Sequence, residues 1–224
     1  MINKELQKRI LSSAIIIPLS LFFLIKGSVY FIFFLSVLFL ATSYEWISMC
    51  KKKIIYKVLG IIFLIFSFYA AYQIRNTGGI DSFLLIVLIC IFTDIGGYIF
   101  GKSFKGPKLI KISPNKTYAG TLGGFLLAVV ASLIYSNYIY SVPWPYSHWK
   151  YLEFSKNYET AFLIFILLIS LISQIGDLII SYFKRLAKIK DTGKILPGHG
   201  GLLDRIDGII FVVPVSYLLF NYLS

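Results

Sequence analysis

The sequence predicts an all-α, polytopic integral membrane protein of about seven transmembrane helices, and three observations carry that prediction. Apolar residues make up 58% of the 224-residue chain and charged residues only 14%, where a soluble domain carries about 25% charge and 45–50% apolar residues. Mean hydropathy is +0.80. Uncharged runs recur, GSVYFIFFLSVLFLATSY over 27–44 and VLGIIFLIFSFYAAYQI over 58–74, each close to the roughly 20 residues that cross a bilayer as a helix.

The spans follow in order at residues 10–25, 27–44, 58–74, 82–101, 117–140, 160–181 and 208–223. The first sits behind Lys4, Lys8 and Arg9. With six spans after it and no clear small-residue cleavage site, it reads as an uncleaved helix rather than a secretory signal. The second and third are the two uncharged runs. The fourth and sixth each carry one carboxylate, Asp94 and Asp177. The fifth starts behind Ser113-Pro114-Asn115-Lys116-Thr117, a turn that delivers Lys116 and Thr117 to a helix start. The seventh follows a glycine-rich stretch. The longest connections, 141–159 and 182–207, are too short for a soluble domain, so any chemistry sits on helix ends and short loops. Short broken or re-entrant pieces are expected near Asp94 and over 188–207.

A net charge of +12 could point to nucleic acid, but the cations are sorted by loop. With the N-terminal side called inside, every Lys and Arg except Lys26, Arg75, Lys150 and Lys156 falls on that side. Such a bias marks the cytoplasmic face, and the cations also attract anionic headgroups. An odd number of spans places the C-terminus outside. Nucleic acid is therefore not an expected partner. Cys50 and Cys90 have no metal-ligand or redox spacing and read as filler.

Carboxylates inside spans are costly and tend to face a protein interior or a water-filled cavity. Asp94 and Asp177 both lie toward the inside ends of their spans. Around Asp177, the offsets of Ser173, Asp177, Ser181, Lys184 and Lys188 place them on one helix face, as in a helix lining an aqueous pocket. Beyond it lies KIKDTGKILPGHGGLLDRIDG, residues 188–208. Its glycines let backbone approach a ligand, Arg205 offers a planar phosphate donor, and Asp204 and Asp207 are three apart. Cations and a glycine-rich turn suit phosphate oxygens, and carboxylates suit Mg²⁺, which prefers one or two of them plus substrate phosphates. These residues point to Mg²⁺-dependent chemistry on a phosphorylated substrate at the cytoplasmic membrane face. A second basic cluster, GKSFKGPKLIKISPNKTYAGTLGG over 101–124, lies on the same side, and its glycines permit close helix packing.

Ser181-Tyr182-Phe183-Lys184-Arg185, Lys190-Asp191, Leu196-Pro197-Gly198-His199-Gly200-Gly201, Asp204-Arg205 and Asp207 resemble the C-terminal signature of the phosphatidate cytidylyltransferases, also called CDP-diacylglycerol synthases. Ser173-Gln174, Gly176-Asp177, the segment with Asp94, Gly97 and Tyr98, and Ser113-Pro114 with Lys116-Thr117 are similar to the family as well. The matching blocks run from about residue 94 to 208. The chain departs from the pattern at Ala119-Gly120, where the family commonly has Glu-Gly.

The resemblance implies transfer of the cytidylyl group of CTP to phosphatidic acid, giving CDP-diacylglycerol and pyrophosphate with Mg²⁺. It implies Asp177 and Asp204 as metal ligands, with Asp207 holding a second cation or orienting Arg205. Lys184, Arg185 and Arg205 would neutralise phosphate charge, and His199, Gly200 and Gly201 would shape the phosphate loop. Asp94, Ser113, Lys116, Thr117, Ser173, Ser181, Lys190 and Asp191 are the expected substrate-binding positions. Residues 1–90 are expected to be scaffold helices and 91–224 the catalytic region, in a bacterial inner membrane; the family's members suggest a homodimer. The readings set against this one are a CTP-dependent lipid kinase, an inactive relative and, from another class, an ion-coupled transporter.

Overall fold

In lipid, backbone polar groups must be satisfied within the segment, so long apolar runs become helices. The computed structural model, which describes residues 4–50, 53–110, 113–141 and 158–223, has this architecture. Helices α1 (Lys4–Lys26), α2 (Ser28–Met49), α3 (Ile54–Thr77), α4 (Gly79–Phe104), α5 (Tyr118–Ser141) and α6 (Tyr158–Leu186) follow one another. A hairpin of β1 (Lys108–Ile110) and β2 (Ser113–Thr117) joins α4 to α5, and the one-turn α7 (Leu203–Ile206) precedes α8 (Ile209–Leu223). Among the described residues, six helices are long and apolar enough to cross a membrane. The seventh expected span is α8, whose 15 residues rise about 22 Å, short of the roughly 30 Å hydrocarbon core. Its Val212, Val213 and Ser216 are buried, so it is an inner helix of the bundle.

Packing between membrane helices depends on close backbone approach and interhelical hydrogen bonds. Helices α4 and α5 form the most extensive pair, and glycines on both make it so. A Cβ at Gly96 would run into the carbonyl of Gly123, and one at Gly124 would lie 2.9 Å from the Thr93 carbonyl oxygen. Thr93 Oγ1 donates to Ser170 Oγ at 2.8 Å and ties α4 to α6. The main apolar cluster joins Phe31 and Leu35 of α2, Ile74 of α3, Ile86 of α4, Ala128 of α5, Ile169 of α6 and Val212 of α8. The first three helices thus share one core with the rest.

The boundaries differ from expectation in instructive ways. Helix α2 continues beyond Tyr44 through Glu45, because that carboxylate is fully satisfied, as described below. Helix α4 runs unbroken through Asp94, whereas 187–202 is irregular, as expected. The segment Ser113–Thr117 is a strand rather than a turn, with Thr117 opposite Lys108. Thr117 still starts a helix: its Oγ1 accepts the Gly120 N–H at 3.1 Å, an N-terminal cap. Lys51, Lys52, Lys111, Lys150, Lys156 and most of the 141–159 connection lie outside the described residues.

Candidate active site

The carboxylates of three separate segments gather near the end of α6. Asp177 on α6 pairs with Lys116 of β2, Nζ to Oδ2 2.6 Å, and accepts the Ser181 hydroxyl at 3.3 Å. Its charge also acts on the neighbouring carboxyl of Asp207. Asp94 on α4 feels the charges of Asp177 and Lys116, and Lys184 acts on both Asp177 and Asp207. Burial pushes the Asp207 carboxyl well above the usual carboxylate range; the Asp177 charge adds to the rise and Lys184 opposes it. Crowded like charges of this kind keep one proton between them unless a cation arrives.

Asp204 plays a different part from Asp207, although only three residues separate them. Its Oδ1 accepts Lys184 Nζ at 2.7 Å, and its Oδ2 accepts the amides of Thr192 at 2.8 Å and Gly201 at 3.1 Å. Both oxygens are committed, so Asp204 ties the loop to α6, while Asp207 is the carboxylate that meets Asp177. The loop itself opens at the end of α6. Lys188 adopts a left-handed φ of 57°, and the amides of Ile189 and Lys188 return to the carbonyls of Lys184 and Arg185 at 3.0 Å each. This is a Schellman ending with lysine where glycine is usual, and it takes Lys188 off the helical face shared by Ser173, Asp177, Ser181 and Lys184. Further on, the His199 amide returns to the Leu196 carbonyl at 3.0 Å with Gly198 at φ +77°, as a Pro-Gly type II turn requires.

The sequence reading missed the group that holds this loop in place. Glu45 of α2 is 1% exposed. Its Oε1 accepts the Leu202 amide at 3.0 Å, and its Oε2 accepts the Leu203 amide at 2.8 Å and the Thr192 hydroxyl at 2.9 Å. Gly201 has no side chain for this reason: a Cβ there would lie 2.7 Å from Glu45 Oε2 and collide with Thr192 Oγ1. The available signal is a carboxylate directly after the uncharged run of residues 27–44, a position equally suited to the end of a span.

Helix α1 holds the loop from another side. Arg9 Nε donates to the Gly198 carbonyl at 2.9 Å. Ser12 Oγ donates to the Arg9 carbonyl and lies 2.7 Å from His199 Nδ1, which leaves Nδ1–H as the donor between them; Ser13 Oγ is 3.3 Å from Nε2. Partial burial, with Arg205 and Arg9 nearby, holds the His199 imidazole below its usual range, so it is neutral at pH 7. A lowered folded-state pKa makes this contribution to stability complete above the unfolded value, roughly 6.5, and lost as pH falls through the folded one. Protease sensitivity of residues 194–201 should therefore rise as pH is lowered from 7.5 to 5, and His199→Gln should flatten that dependence.

Of the other expected residues, Ser113 and Thr117 belong to β2 beside Lys116, and Ser173 is buried against Gly208. Gly200, at φ +88°, would place a Cβ 3.4 Å from both Asp191 and Asp204. Arg205 Nη2 donates to the His199 carbonyl at 2.7 Å. Arg185, Lys190 and Asp191 are exposed; Arg185 points to the Ile189 carbonyl and not into the carboxylate cluster. Ala119 lies in the first turn of α5, and Lys116 reaches Asp177 without a glutamate there.

Residues 51–223 match the model of the cytidylyltransferase family. The chain belongs to that family. It is 34% identical over 228 residues to the phosphatidate cytidylyltransferase of Rickettsia typhi, covering 99% of this chain and 94% of that protein. The enzyme of the same description from Rickettsia felis is also 34% identical, with 97% and 93% covered. That of Staphylococcus aureus strain COL is 36% identical over 171 residues, 76% of this chain and 57% of the relative. Glu45, Arg9, Ser12 and Ser13 lie before the segment that the cytidylyltransferase model matches.

The donor set fits the divalent ion that cytidylyl transfer implies. The Asp177 and Asp207 carboxyls act on each other's charge, and a cation between them would relieve that repulsion. Among the described residues no group of three or more Asp, Glu, His or Cys side chains forms a ready metal cage. A Mg²⁺ ion here would complete its shell with substrate phosphates and water, as it commonly does.

Proposed function

We propose that the protein transfers the cytidylyl group of CTP to phosphatidate, releasing CDP-diacylglycerol and pyrophosphate, at the cytoplasmic face of a bacterial cell membrane with its N-terminus inside. The observation that carries this reading is the carboxylate cluster of Asp94, Asp177 and Asp207, flanked by Lys116 on Asp177 and by Lys184, beside a glycine-rich loop at helix ends.

An oxygen of the lipid phosphate attacks the α-phosphorus of CTP; the bond from that phosphorus to the bridging oxygen breaks, and pyrophosphate leaves with the electron pair. A phosphate monoester is already ionised at pH 7, its second pKa being about 6, so no general base is required. His199, bonded to Ser12 and Ser13, keeps the loop in shape. Asp177 and Asp207 would hold Mg²⁺, which when bound supplies charge neutralisation on the triphosphate. Lys184, bonded to Asp204, and Lys116, paired with Asp177, would offer two cations to the reacting phosphates. Asp204 would be able to hold a cation only by giving up Lys184 or its two amides.

Purified protein with CTP, phosphatidate and Mg²⁺ should yield CDP-lipid and pyrophosphate in equal amounts. CDP with a phosphorylated lipid, formed from CTP and diacylglycerol, would replace this reading with a lipid kinase.

A further inference from the structure

Between α1 and the rest of the bundle lies a cavity of about 360 Å³. Its walls are apolar, Ile17 and Leu21 of α1 facing Phe34 of α2, Phe68 of α3 and Ile209 of α8. One end is formed by His199 and Arg205 of the signature loop. We infer that this cavity takes one acyl chain of the lipid substrate, with the phosphate held at its His199–Arg205 end. The inference rests on the phosphatidate reading above.

Three features select that occupant. The first is length. Cavity-lining residues of α1 run from Ser13 to Leu24, a rise of about 16 Å, which matches one leaflet of a roughly 30 Å hydrocarbon core. The cavity therefore extends from headgroup level to the bilayer midplane. The second is volume, which lies near the lower end of the range for small-molecule sites, about 300–1,000 Å³, and so fits one chain rather than two. The third is charge. Arg205 and Arg9 both lie at the loop end, the former bonded to the His199 carbonyl and the latter to that of Gly198. A phosphate monoester carries up to about two negative charges, whereas the phosphodiester of an ordinary membrane phospholipid carries one, so the paired cations favour phosphatidate.

The construction of α1 agrees. It is the least buried of the six long helices and is pinned by polar bonds near both ends, to the loop through Arg9 and Ser12, and to α3 where Arg75 Nε donates to the Leu24 carbonyl at 3.0 Å. Between the pins it stands off from the bundle, and the gap is the cavity.

Filling the gap should change chain-length preference. In the full-length protein, the ratio of kcat/KM for dioleoyl over dihexanoyl phosphatidate should fall at least about tenfold in Ser20→Trp and in Ala71→Phe, which narrow the cavity from α1 and α3. Dioleoyl phosphatidate bearing a diazirine midway along its chains should label peptides of α1 and α8 in the unmodified protein, and unlabelled phosphatidate should compete better than phosphatidylglycerol. An unchanged ratio in both variants, or label confined to other helices, overturns the assignment; equal competition by both lipids reduces it to a general lipid groove and overturns it as well. Failure of the unmodified protein to turn over either substrate removes the activity reading instead, while the photolabel still reports on the cavity.

Discussion

Asp177→Asn should lower kcat by about a thousandfold or more at saturating CTP and phosphatidate. The substitution keeps the size of the side chain but removes the charge that pairs with Lys116 and that a divalent cation needs. Loss of one preorganised electrostatic contact at a reacting centre commonly costs about 10²–10³ in rate, and here an ion and its ordering of the triphosphate are lost together. Helix content and membrane insertion should be unchanged, since the Asp177 carboxylate makes no bond to the main chain. Asp204→Asn should also abolish turnover, but with a different signature. It weakens the bonds to Thr192, Gly201 and Lys184, so the loop of residues 191–203 should become protease-sensitive in that variant and stay resistant in Asp177→Asn. Near-normal turnover by Asp177→Asn in a Mg²⁺ titration would remove this side chain from the metal site.

Glu45→Ala should lower kcat/KM for CTP by about a hundredfold while leaving the helical bundle assembled. The change strands three donors, the amides of Leu202 and Leu203 and the hydroxyl of Thr192, each of which costs about 1–3 kcal/mol when buried without a partner. Among the described residues Glu45 is the acceptor for all three donors, so without it the loop should leave the face of α2 and take Asp204 and His199 with it. Glu45→Gln retains one good acceptor oxygen and should fall between the variant and the parent. Circular dichroism should show the helices intact, and trypsin should cut between Lys188 and Lys194. Wild-type kinetics in Glu45→Ala would mean that the signature loop is held by α1 and Asp204 alone.

Much of this was legible in the sequence because residue type and offset carry it. The spans follow from uncharged length, and the α6 face follows from the 4, 4, 3 spacing of Ser173, Asp177, Ser181 and Lys184. The loop is marked by its glycines and charges. What could not be read is pairing across distance. Lys116 is legible as part of a basic cluster before a span, but nothing in its neighbours names Asp177 as its partner. Asp204 and Asp207 look equivalent until Thr192 and Gly201 claim one of them. Ser12 and Ser13 look like ordinary polar interruptions in an apolar helix until His199, 187 residues after Ser12, is brought beside them. The β-hairpin escaped because Pro114 argues against a strand, and it is tolerated on a two-stranded ribbon where every strand is an edge.

The bond from Thr192 to Glu45 spans 147 residues, and that separation has a consequence during synthesis. At about 5–20 residues per second, the ribosome delivers the loop roughly 7–30 s after α2 has emerged. For that interval the nascent chain carries a carboxylate at the C-terminal end of α2 without the three donors of the loop, a state that favours keeping that end in water rather than in hydrocarbon. Final seating of the second helix must therefore await nearly the last part of the chain. A polypeptide truncated before Thr192 would display an unshielded acid at the bilayer surface, where membrane-bound proteases could tell it from the finished protein.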